Sequence, residues 1–226
     1  MISATTDRQS EIREQAFLIR DEINGAVDAL INSLPNPADL SIELRRGILA
    51  RYAAVLEGNF IYWMTGAYLA VKSDEARAII RENLDDEIRG CHPGMLRRFV
   101  IAAGAVPNEA DARAISREVQ EVRLFIGRLS ALPILVTRAF FEGFIQKFMA
   151  YLAGLAAAQG STELEYTDVH GVCDVAHTQE LFRAWEAEMA LEEAAPEEGL
   201  FDGVCLLRSL IGCIVYGACS RAEQAA

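Results

Sequence analysis

Apolar residues recur along this chain at three- and four-residue intervals and almost nowhere alternate with polar ones. Ala16, Ile19, Ile23, Val27, Leu30 and Ile31 form one such stripe. A stripe of that period is the buried face of an α-helix. The alternating Val, Ile and Thr runs of strands are nearly absent. Six prolines, at positions 35, 37, 93, 107, 133 and 196, mark the joints. The pattern predicts a first helix over 7–34, broken at Asn36-Pro37. Ser41 caps a second, with Glu43 in its first turn, running to 71. Ser73, followed by Asp74 and Glu75, opens a third that reaches 88. Gly90 and Pro93 turn a corner, and a short fourth helix covers 95–103. Pro107-Asn108 starts a fifth, to 130; Pro133 a sixth, to 160; Ser161 or Thr162 caps a seventh, to 191. An acidic loop at 192–198 precedes an eighth helix, 201–222. No repeat, low-complexity linker or composition break divides the chain. The expectation is one all-α domain over 1–226, a bundle of seven to eight helices.

Bulk composition narrows the function classes. At 226 residues and 52% hydrophobic content the chain is long enough for a sizeable core and is not of the disordered class. A net charge of −12 argues against nucleic acid and against an anionic membrane surface. The most apolar stretch near the end, 204–216, is too short to span a bilayer and contains Arg208. No basic segment precedes an apolar one at the start, so no signal peptide is expected. Five cysteines, at 91, 173, 205, 213 and 219, show no Cys-x-x-Cys spacing. Free thiols and a cytoplasmic location are the expectation.

Against that background seven polar residues stand out: Glu57, Glu87, His92, Glu142, His170, Asp174 and His177. The chain has only three histidines, and all three are in this set. His170, Asp174 and His177 lie on one predicted helix. Positions 0, 4 and 7 of a helix fall at about 0°, 40° and −20° around its axis, so these three side chains point the same way. Glu57 lies among Val55, Ile61 and Met64, and Glu142 sits within Phe140-Phe141-Glu142-Gly143-Phe144. Buried carboxylates and imidazoles need partners. Taken singly, each glutamate reads better as a partly exposed or salt-bridged residue, Glu87 as a charged helix end and His92 as a corner residue before Pro93. Taken together, four carboxylates and three imidazoles form the donor set expected for iron, manganese or zinc. A ferritin-like dinuclear bundle needs Glu-x-x-His on two helices, and none occurs here. A heme oxygenase proper needs an axial histidine on its first helix, and no histidine precedes His92. A zinc hydrolase more often shows a compact three-ligand set with an added base.

The chain resembles the heme-oxygenase-like diiron oxidases and oxygenases, the metal-binding branch of the fold shared with thiaminase-like and pyrroloquinoline-quinone-synthesis proteins. The segment from Asn83-Leu84 through Glu87 and His92 to Leu96, Arg98 and Phe99 is similar to that family's "N-L-x-x-E … H-x-x-L-x-R-F" block, with a corner of only four residues between Glu87 and His92 and one residue more than the pattern between His92 and Leu96. His170, Asp174 and His177 match its His-x-x-x-Asp-x-x-His motif, and Glu57 and Glu142 fall where its two other glutamates stand. The resemblance covers roughly residues 40–190. It implies two irons, with Glu57, His92 and His177 on one, Glu142, His170 and Asp174 on the other, and Glu87 bridging. It further implies reductive activation of O2 as co-substrate, an external reductant, and N-oxygenation, desaturation or oxidative C–C cleavage of a small metabolite in specialised metabolism. No catalytic residue beyond the ligands is implied.

Residues at helical spacing from the ligands predict the substrate pocket: Phe60 and Met64 near Glu57, Arg138 and Ile145 near Glu142, and Tyr166 near His170. The guanidinium of Arg138 either holds a substrate carboxylate or pairs with Glu142 four residues on. The small-molecule substrate expected is amino-acid-like. Three other classes stay open: a metal-free thiaminase-like or cofactor-synthesis enzyme, a manganese–iron site, and a non-enzymatic helical interaction protein. A homodimer is compatible with the sequence.

Overall fold

The computed structural model describes residues 2–191 and 199–217. Nine α-helices and no strand occur among them: α1 (Ile2–Asn32), α2 (Ile42–Leu56), α3 (Phe60–Ala70), α4 (Asp74–Arg89), α5 (His92–Ala102), α6 (Glu109–Ile126), α7 (Ala131–Ala157), α8 (Glu165–Met189) and α9 (Asp202–Tyr216). The all-α bundle is as the periodicity requires. The acidic segment at 192–198, and the predicted end of the last helix at 218–222, lie outside the described residues.

The count exceeds the expected seven to eight because the predicted second helix is two helices. Glu57 ends α2 in an extended conformation, and Gly58 follows with φ 80°, a left-handed backbone that favours glycine. Asn59 then fixes the break. Its buried amide donates to the Val55 carbonyl at 2.8 Å and accepts from Arg123 at 2.7 Å. An Asn side chain that satisfies the last carbonyls of a helix removes the incentive for the chain to continue it.

Most other boundaries follow local chemistry. Ser41 and Ser73 accept from the third amide of α2 and α4, and Asn108 and Asp111 form a reciprocal capping box on α6. Neither Ser161 nor Thr162 caps α8. The helix starts later, at Glu165, and Ser161 instead accepts from Glu163 in the preceding turn.

The nearly all-apolar α7 is the axis. From Ala131 to Glu142 every residue is buried. A helix that is hydrophobic all round belongs in the middle of a bundle. The long helix α8 packs along α7 and also meets α4, and α1 packs on both long helices. Glu188, near the end of α8, is buried and accepts the amides of Lys72 and Ser73 at 2.8 and 2.9 Å. That carboxylate at the N-terminus of α4 pins α4 beside α8. At the other flank, α9 closes on α6 and α7. A Cβ on Gly203 would lie 2.1 Å from the Thr137 hydroxyl, so only glycine permits the contact. No described helix is long and apolar enough to cross a membrane.

Candidate metal centre

Six of the seven candidate ligands converge in two groups. Glu87, His92 and His170 form one; Glu142, Asp174 and His177 form the other. Within each group the donor atoms all lie within 4.8 Å of one another, and all six residues are buried.

The first group comes from three helices. Glu87 lies in the last turn of α4, His92 is the first residue of α5, and His170 is on α8. The corner between α4 and α5 is tight. Cys91 takes a left-handed conformation, φ 56°, costly for a residue with a Cβ. A Cβ on Gly90 would stand 2.5 Å from Nε2 of His92 and 2.8 Å from the Asp86 carbonyl. Glycine at 90 therefore lets His92 fold back over the end of α4. Its Nδ1 sits 2.9 Å from Glu87 Oε1. That hydrogen bond, the largest influence, raises the His92 pKa against the opposing effect of burial. His170 uses Nδ1 to donate to the Tyr166 carbonyl at 2.9 Å, leaving Nε2 facing Glu87 at 3.8 Å. The His92 and His170 rings meet edge-on at 4.5 Å.

The second group is sealed between α7 and α8. Neither oxygen of Asp174 has a hydrogen-bond partner, nor does Nδ1 of His177, although the two residues approach to 3.6 Å. Nε2 of His177 lies 3.9 Å from the exposed Asp86. Glu142 pairs with Arg138 one turn before it, and that guanidinium lies 4.4 Å over the Phe60 ring. Burial pushes the Glu142 carboxyl up to about 7, with Arg138 opposing and Asp174 reinforcing. Burial likewise raises the Asp174 carboxyl. Burial alone would lower the His177 pKa, but Asp174, Glu142 and Glu87 outweigh it and push it up to about 9. The charge of Glu87 is felt at Asp174, Glu142 and His177, so the two groups form one electrostatic unit.

These residues fit a cation. Among the described residues three buried carboxylates lie near one buried guanidinium, and burial raises the pKa values of two of them, Glu142 and Asp174. Both Asp174 oxygens and Nδ1 of His177 are buried without a hydrogen bond, the nearest approach between them being 3.6 Å, and such groups cost free energy until a partner completes them. Two imidazoles with one carboxylate, beside one imidazole with two carboxylates, are donors suited to iron or manganese.

Glu57 joins neither group. The Gly58 break turns its side chain outward, 60% exposed, where it pairs with Arg97 at 2.9 Å. The grouping also differs from the implied division: His92 and His170 belong together, as do His177, Asp174 and Glu142.

A cavity of about 340 Å³ reaches the first group. Glu87, His92, His170 and Tyr166 line its inner part, with Ala53, Leu56, Phe60, Ile61, Leu96, Val100, Ile101, Val106, Pro107 and Ile145 as walls and Glu57 and Arg97 among its exposed lining. Of the expected pocket residues, Phe60, Ile145 and Tyr166 line it. Met64 and Arg138 do not. Met64 is 1% exposed within the apolar core, and Arg138 is spent on Glu142 and Phe60. Between the two open readings of Arg138, the pair with Glu142 is the one found. The wall from α5 was missed, although His92, Leu96 and Val100 at four-residue spacing were its signal. The Tyr166 hydroxyl is hydrogen bonded to that of Tyr52 at 2.7 Å, inside the core.

No family model, curated protein or solved structure matches this chain.

Proposed function

We propose that the protein is an O2-activating non-heme dinuclear metal oxidase or oxygenase with a heme-oxygenase-like bundle, using two irons and oxidising a small organic metabolite. The observation that carries the reading is the pair of buried three-residue ligand groups, one of which borders an apolar cavity. Glu87, His92 and His170 would hold one metal, and Glu142, Asp174 and His177 the other. Bound iron would supply the means to reduce O2 and oxidise the substrate with electrons from an external reductant.

The chain's own residues account for the rest. The Tyr166 carbonyl fixes the tautomer of His170 so that Nε2 is the free donor. Glu87, in the last turn of α4, would help hold the metal of its own group, and its charge also acts on Glu142 and His177 in the other. Arg138 compensates part of the charge of three buried carboxylates and holds Glu142 in one rotamer. The walls of Phe60, Leu96, Val100 and Ile145 keep water from the inner end of the cavity and bind the apolar part of a substrate. The acidic surface, with no span-length apolar helix among the described residues, favours a small-molecule partner over nucleic acid or membrane.

Metal analysis tests the proposal directly. Protein produced with added iron should contain about two irons per chain, and the ferrous form should consume O2. About one manganese and one iron would change the cofactor but keep the architecture. No bound metal would overturn the reading in favour of a metal-free enzyme or a helical interaction protein.

A further inference from the structure

The cavity has a polarity of its own. Its inner end is the buried Glu87–His92–His170 group, and its walls are almost wholly aliphatic or aromatic. Arg97 and Glu57, 72% and 60% exposed, line it on the solvent side. Among the described residues, Arg97 is the only lysine or arginine that lines it.

We infer that Arg97 anchors a substrate carboxylate at the mouth of this cavity, so that an aliphatic carboxylic acid enters tail first and presents carbon remote from its carboxylate to the Glu87–His92–His170 group. This rests on the proposal that this group is the reactive centre. A carboxylate carried inward would lose its hydration among apolar walls and meet the buried carboxylate of Glu87, at large cost. Left at the mouth, it keeps water on one side and a guanidinium on the other. The planar fork of Arg97 suits a carboxylate bidentately. Glu57 occupies that fork in this structure through one Nη2 contact. Both partners are mostly exposed, so the pair is weak and exchangeable. The aliphatic tail then takes the Leu56, Phe60, Leu96 and Val100 surface out of water. At about 340 Å³ the space is at the small end for ligand pockets, which limits the chain to medium length.

Calorimetric titration with octanoate, octanol and the corresponding α-amino acid tests this on metal-free and iron-loaded protein. Octanoate should bind more tightly than octanol. Arg97→Gln should weaken octanoate about tenfold and leave octanol unchanged. Because Arg97 is exposed, the variant should melt like the parent protein. Glu57→Gln frees the guanidinium and should tighten octanoate binding several-fold. If the α-amino acid binds more tightly than octanoate and loses that gain in Glu57→Gln, the carboxylate anchor stands and the natural substrate is a zwitterion. If octanoate wins, the anchor stands and the substrate is a simple acid. Equal binding of octanoate and octanol, or unchanged octanoate affinity in Arg97→Gln, overturns the inference. Iron content measured on the same samples separates the two claims. Two irons without octanoate binding removes the anchor alone, and octanoate binding without iron removes the metal centre alone.

Discussion

The two ligand groups share a chemistry but not a condition. The Glu87–His92–His170 group is partly satisfied by its own hydrogen bonds and opens to the cavity. The Glu142–Asp174–His177 group is closed between two helices and leaves three donor atoms without a hydrogen bond. The difference separates two tasks. A sealed, under-satisfied group gains most from a cation and exchanges ligands with difficulty. An accessible group whose residues are already engaged with each other must break contacts to bind a metal, and can admit substrate. The sealed group should therefore bind metal more tightly and the open group more labile metal.

The largest expected effect tests the sealed group. Asp174→Ala should lower metal affinity there about 100-fold or more, beyond the loss typical of groups that only support a ligand. Metal-free protein should not be destabilised in proportion. Removing a buried carboxylate with two unpartnered oxygens relieves a cost of about 1–3 kcal/mol, offset by the cavity left behind. Thermal melts of the metal-free variant, alongside metal content, check this. A variant that retains two metals would contradict the division.

The next effect is pH dependence, and its sign follows from the shifts. Glu142 moves from 4.5 to about 7 and His177 from 6.5 to about 9, with Asp174 and His92 also raised. In every case the folded, metal-free protein holds a proton more firmly than the unfolded chain. The stability so gained is full below each unfolded pKa and is lost as pH rises through the folded one. Metal-free protein should thus lose stability progressively between about pH 4.5 and 9. Metal binding needs deprotonated ligands, so the metal-loaded form should show a weaker or reversed trend. Denaturant melts of both forms across that range decide it. A metal-free protein whose stability climbs with pH would show that protons are not taking the metal's place.

A smaller effect, confined to the open group, is expected of Gly90→Ala. The new methyl would stand 2.5 Å from Nε2 of His92 and 2.8 Å from a backbone carbonyl, so the ring must swing away. The strain should cost about 1–3 kcal/mol. Metal should be lost from the open group while the sealed one stays loaded. His92→Ala should reproduce the metal loss without the strain. If His92→Ala keeps both metals and O2 consumption, His92 serves only the corner.

How much of this was legible in the sequence depends on how far apart the cooperating residues lie. His170, Asp174 and His177 were legible because one helix carries all three, and helical geometry alone aligns them. Glu87, His92 and Glu142 were legible as members of a set, but their grouping was not. It depends on how α4 is docked beside α8, which Glu188 and the amides of Lys72 and Ser73 determine across the fold. Glu57 misled because Gly58-Asn59 inside an apolar run is tolerated in a helix, and only the distant Arg123 shows why the helix stops. Helical spacing from the ligands found Phe60, Ile145 and Tyr166 but not Arg97, which lies five residues past His92 on α5, off the three-, four- and seven-residue spacing.

The smallest expected effect concerns Arg138, and it sharpens the comparison most finely. Were it the substrate clamp, Arg138→Lys would weaken substrate binding and spare the metals. The geometry expects the reverse. Arg138 does not line the cavity; it is buried beside Glu142 and over the Phe60 ring. A lysine keeps the charge but not the planar contact with both partners. Glu142 should then hold its proton more firmly, and the proton competes with metal in the sealed group alone. A loss of about tenfold in affinity for that one metal is expected, in line with groups that orient a ligand without touching the ion. Octanoate affinity should be unchanged, since Arg97 carries that contact. Metal titrations and calorimetry on one preparation give both numbers. A variant with full metal affinity and weakened octanoate would move the carboxylate anchor from Arg97 to Arg138 and reassign the charge at the cavity.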